Sequence, residues 1–215
     1  MRYCFDAETI SLTTLKERIL STDLVPSREV IKTGLDDVLE KIKGLGIHNL
    51  AALRKELKDN KRLFAIADQT GIDKDHLALL RREVESWYPK PCSLKEFDWI
   101  PADEIAKLEA AGIKTAADVC ENPEKARTAG VPADQMDHLF KCADLTRIQW
   151  VSPLTARMLI AAGYDTPASV AGAVPEELDK GMQAVNTVHA WFKGRIGLRD
   201  IKRLIDAARY VSLWY

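Results

Sequence analysis

Residues 144–173 read DLTRIQWVSPLTARMLIAAGYDTPASVAGA, and this stretch carries the clearest fold signals in the chain. Ser152 followed by Pro153 is typical of a helix start, because the serine oxygen accepts a first-turn amide hydrogen and proline is tolerated at the first helical position. Apolar residues follow at helical spacing, and Gly163 ends the run. The pattern predicts a helix over roughly residues 153–162.

A short phrase that ends this helix occurs three times in the chain. The copies are Gly46-Ile47-His48-Asn49, Gly112-Ile113-Lys114-Thr115 and Gly163-Tyr164-Asp165-Thr166. In each copy a glycine ends one helix, the next residue inserts into the core, and Asn or Thr caps the following helix. A second phrase, Thr70-Gly71-Ile72 and Ala129-Gly130-Val131, supports the first two copies. Because internal repeats fix an architecture, the phrases predict three related units.

The rest of the chain also favours helices. Nearly every segment after Gly34 has apolar residues at helical spacing, and no segment shows the alternation typical of strands. We expect an N-terminal helical arm at 1–33, a first unit at 34–92, a second unit at 93–142, and a third unit with a C-terminal basic helix at 143–215. The sequence Pro89-Lys90-Pro91 marks the clearest joint.

Other stretches stand out beside the glycine phrases. They are LVPSRE (24–29), ADLTRIQWVSPLTARMLIAAGYDT (143–166), VPEELDKGMQAVN (174–186) and IGLRDIKRLIDAAR (196–209). On these residues the chain resembles a bacterial family of uncharacterised proteins built from tandem helix-hairpin-helix units. The resemblance implies an all-α fold of tandem degenerate helix-hairpin-helix units with a C-terminal helix. It also implies distant kinship to modules that hold DNA by its backbone.

The hairpin turns depart from the Gly-Val-Gly pattern of such modules. The third unit has Trp150-Val151-Ser152 at this point and the second has Trp99-Ile100-Pro101. A tryptophan adds bulk where a phosphate would approach, and Pro101 removes an N–H donor. Two interpretations stay open for each turn: a helix junction whose tryptophan anchors the core or a partner, and a contact with nucleic-acid backbone. In the second case Val151, Ser152 and Thr155 are the candidate residues.

Basic residues concentrate near the C-terminus, although the whole chain has 31 basic and 32 acidic residues. The basic residues there are Lys193, Arg195, Arg199, Lys202, Arg203 and Arg209. A second basic run lies at 41–62, whereas 93–142 contains ten acidic and six basic residues. This asymmetry suits a nucleic-acid surface at the ends of the chain, or self-association of unlike patches.

These observations lead to two functional hypotheses. The first is a non-catalytic helix-hairpin-helix binding module that contacts the backbone of DNA or another nucleic acid through the basic terminal helix and the third hairpin. The alternative is a protein–protein interaction scaffold whose hairpins have lost phosphate binding. The candidate partner-binding residues of the scaffold are Trp99, Trp150, Trp214 and Tyr215.

Catalytic, metal and cofactor sites are not predicted. His138 and Cys142 lie four residues apart on a predicted helix, but a structural zinc site needs four ligands and a catalytic one about three. The four cysteines show no paired spacing, which favours reduced thiols. No apolar run reaches the ~20 residues of a membrane helix, and the N-terminus lacks a secretory pattern. We therefore expect a cytoplasmic protein without membrane contact.

Overall fold

A computed structural model describes residues 2–214, with side chains up to Val211. Within this range it contains fourteen α-helices and two short 3₁₀ helices, and it has no β-strand. The predicted all-α class is confirmed. No helix among the described residues is both long enough and apolar enough to cross a membrane.

The chain divides into two compact units. The N-terminal unit comprises residues 6–88, and its α-helices are α1 (Leu12–Ser21), α2 (Pro26–Glu29), α3 (Leu35–Gly44), α4 (Leu50–Leu57), α5 (Asn60–Thr70) and α6 (Lys74–Trp87). A 3₁₀ helix, Val30–Lys32, follows α2. Helix α4 packs against α5 and α6. The division falls at the predicted joint, whereas the finer four-part division stays a prediction.

The C-terminal unit comprises the chain from Pro89 onward together with the N-terminal residues through Phe5. After a 3₁₀ helix at Leu94–Glu96, its α-helices are α7 (Ala102–Ala110), α8 (Ala116–Glu121), α9 (Pro123–Arg127), α10 (Ala133–Leu145), α11 (Pro153–Ala161), α12 (Pro167–Ala171), α13 (Pro175–His189) and α14 (Leu198–Trp214). Helix α10 packs against α8 and α11, and α14 packs against α12 and α13. These packed helices enclose one apolar core.

The predicted helix starts are confirmed where side-chain caps were expected. Ser152 accepts a hydrogen bond from the Thr155 amide, and α11 begins at the next residue. Asn49, Thr115 and Thr166 cap α4, α8 and α12 in the same way. Each cap satisfies one of the amides that the first turn of a helix leaves without a backbone partner.

Helices α7 and α11 of the C-terminal unit have the same length and similar turns after them. Helix α11 begins and ends 51 residues after α7. Gly112 and Gly163, which follow these helices, have φ angles of 75° and 90°. In both, the glycine amide donates to the carbonyl three residues earlier, and the next amide donates to the carbonyl five residues earlier, all at 2.9 Å. The same 51-residue offset relates Trp99 to Trp150.

One hydrogen-bond pattern is shared by the first two glycine phrases and changes in the third. Ser11 forms an antiparallel bridge with Asn49, and Ser93 forms one with Thr115. In both bridges the residue after the cap donates one backbone hydrogen bond. In the third phrase that residue is Pro167, which has no N–H and cannot donate.

Tyr3 belongs to the core of the C-terminal unit, although it lies at the start of the chain. Its side chain is 1% exposed, and its hydroxyl lies 3.0 Å from that of Thr146. Its amide donates to the Glu121 carboxylate at 3.0 Å. The N-terminal residues are therefore held in place by packing and by hydrogen bonds at both ends of the tyrosine.

Candidate nucleic-acid interface

The turn between α10 and α11 presents Trp150 at the surface. This residue is 45% exposed and has a φ of +70°, in the left-handed region that glycine enters at little cost. Its neighbours Ile148 and Val151 are buried, and the Val151 amide donates to the Ile148 carbonyl at 3.1 Å. The backbone thus adopts a glycine-like turn with a tryptophan at its tip.

The amides of this turn are only partly available to a ligand. Besides the Val151 amide, that of Thr155 is engaged, because it donates to the Ser152 hydroxyl at 3.2 Å. The amides of Ser152 and Leu154 have no hydrogen-bond partner among the residues that the structure describes. Of the three predicted hairpin residues, Ser152 therefore offers a backbone donor, whereas Val151 and Thr155 hold the turn together.

Helix α14 separates apolar from basic residues as its sequence predicts. Its buried residues include Ile201, Leu204, Ile205 and Ala208. Arg199, Lys202 and Arg209 are exposed. Lys193 and Arg195 are exposed in the connection that precedes the helix. The basic side chains are thus accessible, while the opposite face fixes the helix on the core.

Arg203 brings the basic helix and the hairpin together. Its guanidinium carbon lies 4.4 Å from the centre of the Trp150 ring, a cation–π geometry. The side chain is half-buried, and its Nε atom is buried without a hydrogen bond among the described residues. Arg209 differs, since it pairs with Asp206 at 2.9 Å. The basic helix and the hairpin turn, which are separate in the sequence, therefore form one surface.

Both arginines of the second basic run, at 41–62, are paired with carboxylates of the N-terminal unit. Arg54 donates two hydrogen bonds to Glu85 at 2.7 and 2.9 Å. Arg62 donates to Glu56 at 3.1 Å. Because each guanidinium already has a carboxylate, this run offers less charge to phosphate than its composition indicates.

Trp99 occupies a different environment from Trp150. It is half-buried, and its ring meets those of Phe97 and His138 edge-on at centroid distances of 5.2 and 5.6 Å. Trp99 therefore contributes to packing, and only Trp150 of these two offers a broad exposed face. The other predicted partner-binding side chains, Trp214 and Tyr215, lie outside the described residues.

The predicted proximity of His138 and Cys142 is present, but its chemistry favours packing. His138 Nε2 lies 3.7 Å from the Cys142 sulfur. Burial raises the pKa of Cys142 to about 12, so a thiolate nucleophile is disfavoured at neutral pH. Among the described residues no group of three or more His, Cys, Asp or Glu side chains is placed to hold a metal ion.

Arg157 is a site residue that sequence reasoning missed. It extends from α11 and lies over the rings of Trp99 and Trp191, which are 58 and 34 residues of chain away in opposite directions. The sequence offered one indication of its role: Arg157 is a lone arginine in an otherwise apolar helix, and such a residue needs partners. The identity of those partners depends on packing between distant segments.

The fold and this surface define a class of protein: an all-helical chain with capped helices, left-handed glycine turns and a basic terminal helix beside an exposed tryptophan. Residues 99–211, more than half of the chain, match the family described as a domain of unknown function, DUF4332. The chain belongs to this family. Comparison with curated proteins and with solved structures gave no match.

Proposed function

We propose that this protein is a non-catalytic binding module, built from tandem degenerate helix-hairpin-helix units, that contacts the backbone of DNA or another nucleic acid. Helix α14 supplies the charge and the α10–α11 hairpin supplies the adjoining surface. The main support for the proposal is the contact between Arg203 and Trp150, which joins helix α14 and the α10–α11 hairpin in one surface.

The helix-hairpin-helix assignment is supported by backbone geometry. Helix α11 begins and ends 51 residues after α7. Each of these helices is followed by a glycine with a left-handed backbone and then by a capped helix. Gly46 ends α3 with a φ of 81° before the capped helix α4. At the third hairpin, Trp150 retains the left-handed conformation although it is not glycine.

Charge supports the ligand class. Arg199 and Lys202 are exposed on α14, and Lys193 and Arg195 precede it on the same stretch of chain. Basic side chains that neutralise phosphates release condensed counterions, which is the main source of affinity that does not depend on sequence. The turn at Trp150 adds little hydrogen bonding, so we assign recognition to charge and position rather than to base reading.

Fluorescence anisotropy with labelled duplex DNA, single-stranded DNA and RNA tests this proposal at low salt. We expect binding by the unmodified chain, and a loss of at least tenfold in Arg199→Glu with Lys202→Glu, because two favourable charges become unfavourable. The matched control is Lys107→Glu with Lys125→Glu, which makes the same charge change in the acidic segment. Absence of binding by the unmodified chain, or equal losses in both double variants, contradicts the proposal.

A protein–protein scaffold is the second candidate, and the exposure of Trp150 favours it. A tryptophan that is 45% exposed and held by a defined turn is typical of an interface anchor. In this case Trp150→Ala abolishes partner capture in a pull-down, while the α14 double reversal leaves it unchanged. Retained capture in Trp150→Ala contradicts the scaffold candidate.

A further inference from the structure

An open cavity lies in the C-terminal unit beside helix α11, three residues of which line it. Its volume is about 400 Å³. Its lining includes Trp99, Ile100, His138, Arg157, Ile160 and Trp191. A cavity of this size, mostly apolar with a few polar groups, is typical of a small-molecule site.

Arg157 stands between two indole rings. Its guanidinium carbon lies 3.9 Å from the centre of the Trp191 ring and 5.2 Å from that of Trp99. The Trp191 ring is also stacked on the His189 ring, with centroids 4.3 Å apart and planes 13° apart. The faces of Trp191 therefore both have partners, and a ligand has no free face of that ring on which to stack.

The N–H donors of the Arg157 guanidinium remain available to a ligand. No hydrogen bond from this guanidinium is formed among the residues that the structure describes, and its five N–H donors lie in the plane of the group and suit an oxyanion. The nearest carboxylate, Asp98, lies 3.7 Å from Nη1, which is beyond hydrogen-bond distance, and the Asp98 side chain is 74% exposed. Arg157 thus carries a loose ion pair that an incoming anion can replace at small cost.

We propose that this cavity binds a flat organic oxyanion, namely an aromatic ring that carries a carboxylate or a phosphate. The oxyanion pairs with the in-plane donors of Arg157, and the ring lies against Ile100, Ile160 and the accessible part of Trp99. Asp134 also lines the cavity, but it is exposed and its repulsion is screened by solvent. This site does not depend on the nucleic-acid proposal.

Isothermal titration calorimetry on the full chain tests the site with four probes: 2-naphthoate, 2-naphthyl phosphate, 2-naphthalenemethanol and inorganic phosphate. We expect one of the two naphthyl anions to bind at least tenfold more tightly than the neutral alcohol and than inorganic phosphate. The tighter naphthyl anion identifies the oxyanion class. Equal binding of the alcohol, or binding of none of the probes, overturns the proposal.

Variants locate the binding. Arg157→Gln is expected to lose at least tenfold in affinity, and Asp98→Asn to gain because it removes the competing carboxylate. Arg127→Gln is the matched control, since Arg127 also lies over one aromatic ring, that of Phe140, and pairs with Asp137 outside the cavity. Unchanged binding in Arg157→Gln, or an equal loss in Arg127→Gln, overturns the proposal.

A second variant keeps the test decisive if Arg157→Gln fails to fold. Ala161→Trp fills the cavity from the exposed end of α11 and leaves the Arg157 charge in place. Folding is checked by circular dichroism and thermal unfolding. Loss of naphthyl-anion binding in folded Ala161→Trp supports the site, and retained affinity in this variant places the binding elsewhere.

Discussion

Trp150 holds a backbone conformation that favours glycine, with a φ of +70°. A residue with a Cβ in the left-handed region costs about 1–2 kcal/mol more than glycine there. Contact with Arg203 offsets part of this cost, since cation–π pairs contribute roughly 0.5–2 kcal/mol. The contact with Arg203 is therefore one of the interactions that hold the strained turn, together with its buried neighbours Ile148 and Val151.

The left-handed backbone at Trp150 should reverse the usual order of stability of its glycine and alanine variants. Trp150→Gly should be more stable than Trp150→Ala by about 1 kcal/mol, because both lose the indole and only alanine keeps the strain. At ordinary positions alanine is the more stable of the two. Urea denaturation measures the free energies of unfolding.

The matched control lies 51 residues earlier. The φ of Trp99 is not positive, so Trp99→Ala should be more stable than Trp99→Gly. If alanine is also the more stable replacement at position 150, the turn does not have the left-handed geometry described above.

His138 gives a prediction about electrostatics at the cavity. Burial lowers the pKa of its imidazole, and the positive charges of Arg157 and Lys141 lower it further. Because the folded pKa lies below that of the unfolded chain, His138 contributes stability above about pH 6.5 that is lost as the pH falls through the folded pKa. Arg157→Gln should therefore raise the pKa of His138.

The measurement is an NMR titration of the His138 ring protons. Arg127→Gln serves as the comparison, because Arg127 is not among the charges that lower this pKa. An unchanged pKa in Arg157→Gln, or an equal rise in Arg127→Gln, contradicts the placement of Arg157 beside the imidazole.

At the scale of elements, the start of α8 is held by Asp118. Its carboxylate accepts hydrogen bonds from the Lys114 amide, the Thr115 amide and the Thr115 hydroxyl, each at 2.9 Å. Partial burial acts to raise the pKa of Asp118, but these hydrogen bonds outweigh it and hold the pKa below its usual value. The ionised carboxylate thus stabilises the folded chain.

We predict that Asp118→Asn lowers the free energy of unfolding at pH 7 by about 0.3–1 kcal/mol, because the amide still accepts hydrogen bonds but loses the negative charge that favours the first turn of a helix. Since the folded pKa is lowered, this contribution is present above about pH 4 and is lost as the pH falls through the folded pKa. Urea denaturation at several pH values measures it. The control is Glu124→Gln, at an exposed first-turn residue of α9, which should have little effect. A pH-independent difference for Asp118→Asn would contradict the role of the ionised carboxylate.

Local signals made these elements predictable from the sequence. Ser152, Asn49 and Thr166 cap helices where their positions indicated, because a capping bond spans only three residues. Gly163 ends α11 for an equally local reason, its left-handed φ. The engagement of the Val151 amide within the turn was not predictable, since it depends on the conformation that Trp150 adopts.

Contacts between distant segments of the chain could not be predicted from the sequence. Tyr3 packs beside Thr146, and Arg157 lies between Trp99 and Trp191. Helical spacing identifies which face of a helix is buried but not which helix covers it. For the same reason, the sequence predicted the basic helix α14 and the hairpin at Trp150 but not the contact between them.

The attachment of the N-terminal residues gives a further prediction. Tyr3→Phe removes the hydroxyl that meets Thr146 and leaves a buried polar group without this partner, so the C-terminal unit should lose about 1 kcal/mol of stability. Thermal or urea unfolding followed by tryptophan fluorescence measures the loss. Tyr164→Phe, at a half-buried tyrosine, is the control and should change stability less.

The salt dependence of duplex DNA binding tests whether the basic face of α14 contacts nucleic-acid backbone. We expect this contact, so log affinity should fall linearly with log salt concentration, and Arg199→Glu with Lys202→Glu should reduce the slope by ~1.8, about 0.9 for each lost phosphate contact. An affinity that does not depend on salt, or the same slope in the double variant, would contradict it.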